Sequence, residues 1–264
     1  MSDDNFWQMA QKRFSTWEMT KTILNTRAVE QQKHTQEIFE KNGFQVINFP
    51  CLEIVTVSDT DFVRKQIIET SHSDVFVFTS QNAVIHAFKI QPNWKISKNA
   101  TVIAVGNKTT EILEQYYSGD IWVPEKHNSE GAIELIKGFK KTSSLALITG
   151  KSGRDEIQNY CESNKIKLTQ INVYQRQTPT VDPDVIQEIQ NSKDLLILAT
   201  STTTLAHLKK MVSEKLWNKF QHQTIISASV RITEYAKELG FQSIITTNTA
   251  NPEEICLFLN AVRL

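Results

Sequence analysis

The same stretch of chain occurs twice, and this limits the possible folds more than any other feature. DVFVFTSQNAVIHAF at 74–88 returns as DLLILATSTTTLAHL at 194–208, 120 residues later. Both read as an Asp, an apolar strand, a Thr-Ser turn and the start of a helix. TVIAVGNKTTEIL from 101 matches TIISASVRITEYA from 224, and NSEGAIELI from 128 matches NPEEICLFL from 251, both 123 residues apart. Ile47 and Asn48 of FQVINF find Ile171 and Asn172 of TQINVY 124 residues on. Four blocks in one order at a nearly constant offset predict a duplication of about 120 residues, and such repeats fix an architecture before any local reading does.

Each half alternates short β-branched runs with helical patterns, the signature of parallel sheets covered by helices on both faces. Strands are expected at 22–26, 44–49, 74–80, 100–106, 145–150, 168–174, 194–201 and 223–229. The expected class is α/β, with two similar parallel-sheet α/β/α domains. At 264 residues, 40% hydrophobic and 22% charged, the chain can fill two cores. Lys plus Arg equals Asp plus Glu at 29 each, so no global field favours nucleic acid or an anionic membrane. Any anion must be gripped locally.

Cys51, Cys161 and Cys256 are far apart, without metal-ligand spacing, and read as small core residues. The six histidines form no constellation, and His86 and His207 read as plain helix residues. Residues 1–20 show no apolar leader and no run of membrane-spanning length, so a cytoplasmic protein is expected. They are read as an N-terminal extension without assigned function.

The candidate chemistry sits where strands meet helices. Thr79-Ser80-Gln81-Asn82 and Ser201-Thr202-Thr203 occupy equivalent turns. Hydroxyls there cap the helix, while the open amides and positive dipole end can also bind an anion. Ligands of open parallel sheets gather at the carboxyl ends of the strands. Gly106-Asn107-Lys108-Thr109 and Gly150-Lys151-Ser152-Gly153-Arg154 are further turns of this kind. The second is no nucleotide phosphate loop, because Leu145 stands where GxxxxGK[ST] needs its first Gly. Tyr174 is read as ending a strand before a linker, Gln175-Arg176-Gln177-Thr178-Pro179, where its phenol would face an interdomain cleft or pack there as a hinge aromatic.

Taken in order, ILNTRAVEQQKHTQEIFEKNGFQVINFPCLEI, DVFVFTSQNAV, VIAVGNKTTEIL, LITGKSGRDEI with INVYQR, and TEYAKELGFQSIITT resemble the successive blocks of the uroporphyrinogen-III synthase family, over about 22–260. The resemblance implies a discontinuous domain of 21–51 plus 179–264, an inserted domain of 52–178 and a two-stranded linker between them. It implies cyclisation of hydroxymethylbilane, with loss of water and inversion of the last pyrrole ring, giving uroporphyrinogen III on the way to heme. It implies no metal and no organic cofactor, and a monomer that can take its substrate from hydroxymethylbilane synthase.

Tyr174, at the family's tyrosine position, is the expected catalytic residue, assisting departure of the hydroxyl; since a phenol is a weak acid, positioning is expected to matter more than proton donation. The expected substrate-binding residues are Arg27, Thr79, Ser80, Gln81, Asn82, Gly106, Thr109, Ser129, Gly150, Ser152, Gly153, Arg154, Ser201, Thr202 and Thr203, largely through main-chain amides. Opposite Gly106 and Thr109 the second half has Ser229 and Ile232, where the family commonly keeps Gly and Thr, with Thr233 as a substitute hydroxyl. A non-catalytic two-domain protein that binds a small polyanionic ligand is the alternative, and a degenerate interaction module a third possibility.

Overall fold

A computed structural model describes residues 21–139, 142–151, 153 and 155–262. The N-terminal extension, Ser152 and Arg154 lie outside the described residues. The first strands are β1 (Thr22–Asn25), β2 (Gln45–Asn48) and β3 (Glu53–Thr56). Then follow β4 (Val75–Phe78), β5 (Thr101–Ala104), β6 (Ile121–Trp122), β7 (Ser144–Gly150) and β8 (Lys167–Gln177), and finally β9 (Leu195–Ala199), β10 (Thr224–Ser227) and β11 (Ser243–Thr246). The helices are α1 (Val29–Lys41), α2 (Thr60–Glu69), α3 (Gln81–Ile90), α4 (Asn107–Leu113), α5 (Ser129–Gly138) and α6 (Glu156–Ser163). They continue as α7 (Pro183–Asn191), α8 (Thr202–Met211), α9 (Glu214–Gln221), α10 (Val230–Glu238) and α11 (Pro252–Ala261).

The described residues form two compact units, one within 21–53 and 178–262, the other within 54–177. The discontinuous unit holds a sheet of order β11-β10-β9-β1-β2, parallel throughout. The continuous unit holds β3-β8-β7-β4-β5-β6, parallel from β8 to β6. Setting β4 against β9, β5 against β10 and β8 against β2, as the repeated sequences require, superposes the two orders and pairs β7 with β1. The second sheet adds only β3, at its edge. Its neighbour β8 and β3 itself carry the chain's two passages between units, at Glu53 to Ile54 and Gln177 to Thr178.

Alternation along the strands divides each unit into two apolar layers. In the continuous unit Phe76, Phe78, Val102, Ala146 and Ile148 face one layer, and Val75, Val77, Ile103, Leu145 and Leu147 the other. In the discontinuous unit Leu24, Leu195, Ile197 and Ile225 face one layer, and Ile23, Leu196, Leu198 and Ile226 the other. The three cysteines are free and buried, as their spacing predicts. Burial pushes all three thiols up, Cys256 to about 11.

Two polar devices tie the sheets together. The Ser143 and Ser144 amides and the Ser144 hydroxyl all donate to Oδ2 of Asp74, at 2.9, 2.8 and 3.0 Å, joining β7 to the start of β4. These bonds, that from the Ser143 amide foremost, hold the carboxyl below its ordinary range. Lys219 of α9 donates its ammonium to the carbonyls of Ile189, Gln190 and Ser192, closing the C-terminal end of α7. No helix among the described residues is long and apolar enough to cross a membrane.

Candidate active site

Hydroxyl and glycine turns stand at the carboxyl ends of the strands, and those after β4 and β7, at Thr79 and Ser80 and at Gly150, meet at Tyr174, whereas the turn at Gly106 to Thr109 does not line the same cavity. Ser80 precedes α3 in extended conformation and its hydroxyl accepts from the Ala83 amide at 3.2 Å. That same oxygen lies 3.2 Å from the Tyr174 phenol oxygen. Because the Ala83 N–H already occupies a lone pair of Ser80, the serine proton is free to point at the phenol oxygen, and the phenol proton is then free to point into the cavity. Thr79 donates to the Thr149 hydroxyl at 3.0 Å and so joins the ends of β4 and β7.

Tyr174 does not end its strand. Strand β8 runs on to Gln177, because β3 pairs along its other side, so the expected linker residues Gln175 to Gln177 are strand. A bulge in the β7 ladder sets Gly150 opposite Tyr174, leaving Val173 as the extra residue. Lys151 then donates its amide to the Tyr174 carbonyl at 2.8 Å. Tyr174 is 5% exposed and packs into the core of its own unit. A Cβ on Gly150 would stand 2.5 Å from two of the ring's carbons, so glycine is what lets the ring sit there. The His86 ring lies 5.7 Å away, tilted by 33°, and its Nδ1 meets the Thr56 hydroxyl at 2.9 Å. His86 is therefore part of the tyrosine's setting rather than a plain helix residue. Its signal in the sequence was a polar ring among the apolar positions of α3, six residues beyond Ser80.

A cavity of about 300 Å³ opens beside the phenol. Ser129, Lys151, Gly153 and Arg176 line it together with Thr79, Ser80, Thr149 and Gly150. Gln81 is exposed and Asn82 half-buried on the first turn of α3. Gly106 has φ +102°, a backbone that favours glycine, and caps α4 without a side chain. Thr109 is 3% exposed and donates to the Val105 carbonyl at 3.2 Å, which makes its hydroxyl part of the turn.

In the discontinuous unit Ser201 caps α8, its hydroxyl accepting from the Thr204 amide at 3.0 Å. Thr202 and Thr203 line a second cavity of about 510 Å³ with His207, Lys210 and Arg231. Arg27 donates to the Ala250 carbonyl at 2.8 Å and to Gln31 at 3.1 Å; burial lowers its pKa, and Glu253 partly offsets this. Ser229 stands in extended backbone and caps α10 by its own hydroxyl, which is how this turn does without a glycine. The Thr233 hydroxyl is engaged with Ser227 and Thr246, at 2.9 and 2.6 Å. Among the described residues no group of three or more His, Cys, Asp or Glu could hold a metal ion.

A family model described as uroporphyrinogen-III synthase HemD matches residues 33–256. A Methanocaldococcus jannaschii protein carrying a uroporphyrinogen-III synthase name is 25% identical over 230 residues, which cover 84% of this chain and 91% of that protein. The uroporphyrinogen-III synthase of Synechococcus elongatus is 23% identical over 202 residues, 74% of this chain and 76% of its own. The solved uroporphyrinogen-III synthetase of Helicobacter pylori shares the fold with a TM-score of 0.59 at 14% identity, over 93% of this chain and 100% of that one. A mutant uroporphyrinogen III synthase of Thermus thermophilus gives 0.58 at 14%, over 92% and 99%. With the family match covering most of its length, this chain belongs to the uroporphyrinogen-III synthase family.

Proposed function

We propose that the chain closes hydroxymethylbilane to uroporphyrinogen III with loss of one water and inversion of the last pyrrole ring, and that Tyr174 assists the departing hydroxyl. The observation that carries this is a buried phenol whose oxygen meets a helix-capping hydroxyl at 3.2 Å beside a cavity free of carboxylates among its lining residues. The phenol proton goes to the leaving oxygen as the C–O bond breaks, and water departs. The charge left on Tyr174 is met by the Ser80 hydroxyl and by the positive end of α3. The electron-poor methylene is then attacked by the far pyrrole ring of the same substrate, and the proton that this ring gives up as the macrocycle closes returns to the phenolate. This needs the two ends held together and kept from solvent more than it needs a strong acid.

Substrate carboxylates are assigned to amides and hydroxyls of the turns at Gln81 and Asn82, Gly106, Ser129, Gly150 and Gly153, and to Ser201 to Thr203 and Arg27. Local dipoles suit a polyanion better than net charge here, since the chain has none. The same reading puts the protein in the cytoplasm as a monomer supplied by hydroxymethylbilane synthase. Three free cysteines suit such a reducing compartment.

Incubation with hydroxymethylbilane, followed by oxidation and separation of the isomers, tests the proposal. The expected product is the type III isomer. Recovery of type I alone, the product of uncatalysed closure, would refute it.

A further inference from the structure

Among the described residues two cations, Lys151 and Arg176, reach the cavity beside Tyr174, and no carboxylate lines it. Among the described residues neither side chain has a hydrogen bond or an ion pair. Some cations of the same unit are matched locally, Arg64 at 2.6 Å from Asp61 and Lys126 at 3.8 Å from Glu134, and what sets Lys151 and Arg176 apart is their place on the cavity. An unmatched pair of positive charges over a hydroxyl-lined hollow is a receptor for an anion.

Both stems are rooted in the tyrosine's own framework. Arg176 follows Tyr174 by two residues on β8, a strand held by β7 on one side and β3 on the other. The Lys151 amide is bonded to the Tyr174 carbonyl. Cations so rooted can draw an anion to the cavity beside the phenol, and a guanidinium matches the two oxygens of a carboxylate with two parallel hydrogen bonds.

We infer that Arg176, with Lys151 as a second charge, is a specificity-determining residue that receives a carboxylate of the pyrrole bearing the hydroxymethyl group and thereby holds that group against Tyr174. This rests on the proposed reaction and adds the residue that selects an acid-bearing ring. It predicts rejection of bilanes whose terminal ring is esterified.

The test compares wild type with R176Q, R176K and K151Q. R176Q is expected to raise KM for hydroxymethylbilane about tenfold, the size of one charge-assisted contact, with an unchanged thermal midpoint. R176K, which keeps the charge and loses the two-pronged match, should recover only part of the loss, K151Q should show a smaller one, and the rise of KM with salt should flatten in R176Q. An unchanged KM and salt slope in R176Q would overturn the inference.

Quenching of tryptophan fluorescence by uroporphyrin III, an octacarboxylate, reads the same contact without turnover. Weaker binding by R176Q supports the anion site even if wild type forms only the type I isomer, an outcome that defeats the reaction and not the site. Equal binding by R176Q and wild type defeats the site, whichever isomer forms.

Discussion

The ring of Tyr174 fills the space that a side chain at residue 150 would need: a Cβ on Gly150 would meet two ring carbons at 2.5 Å. Gly150→Ala therefore has to move the phenol or the bulge that aligns the two residues. Thermal or urea denaturation should show a loss of about 1–3 kcal/mol, the usual cost of overpacking. Turnover should fall by more than about tenfold, because the phenol leaves its place over the cavity. Full activity in a folded Gly150→Ala protein would show that the ring's position is immaterial.

Tyr174→Phe removes one oxygen and keeps the packing. Its kcat is expected to drop about 100-fold, within the range for a positioned proton donor, while the melting curve stays in place. Ser80→Ala is different in kind, since it loses both the contact to the phenol and the cap of α3. It should be slower than wild type, faster than Tyr174→Phe, and less stable by about 1 kcal/mol. Rates and melting curves measured on both variants separate the two effects.

The Asp74 clamp makes part of the fold's stability depend on acid. Its folded carboxyl titrates below the unfolded one, at about 3.9, because the Ser143 amide and the Ser144 groups bind the ionised form. The clamp is thus fully effective above the unfolded value and is lost as pH falls through the folded one. Urea midpoints of wild type should decline on acidification through this window, and Asp74→Asn should show a shallower decline there. Parallel curves would remove Asp74 from the acid response.

Lys219→Met keeps the aliphatic stem and removes a donor shared by three carbonyls at the end of α7. A loss of about 1–3 kcal/mol is expected in equilibrium unfolding, without change in KM, since the end of α7 leads into the start of β9, at the opposite end of the strand from the turn at Ser201 to Thr203.

Much of the fold was legible because the central strands are apolar on both faces, and the repeat aligned them. The strands left unread, β3, β6 and β11, are all sheet edges. Edge strands are half-solvated and short, as in EIVT and SIIT, and a two-residue strand such as Ile121–Trp122 carries no period at all. The turns were legible from their hydroxyls and glycines. Arg176 was not, because a polar QRQ before a Pro reads as a linker unless β3 is known to extend the pairing. The two-residue step from Tyr174 to Arg176 was the available signal. His86 was hidden differently, since only the fold brings Thr56 and Tyr174 to its ring.

The discontinuous unit has a consequence for the order of assembly on the ribosome. Its strand β1 pairs with β9, Thr22 with Leu195, so this sheet cannot close until the whole of 54–177 has been made. Residues 54–177, by contrast, emerge as one uninterrupted run. Folding them first replaces a long floppy loop by a short tether between Glu53 and Thr178, which lowers the entropy opposing the β1 to β9 contact. The topology thereby makes one order of events available to the nascent chain: the half containing the phenol can mature first, before the strands of the other half have all been made.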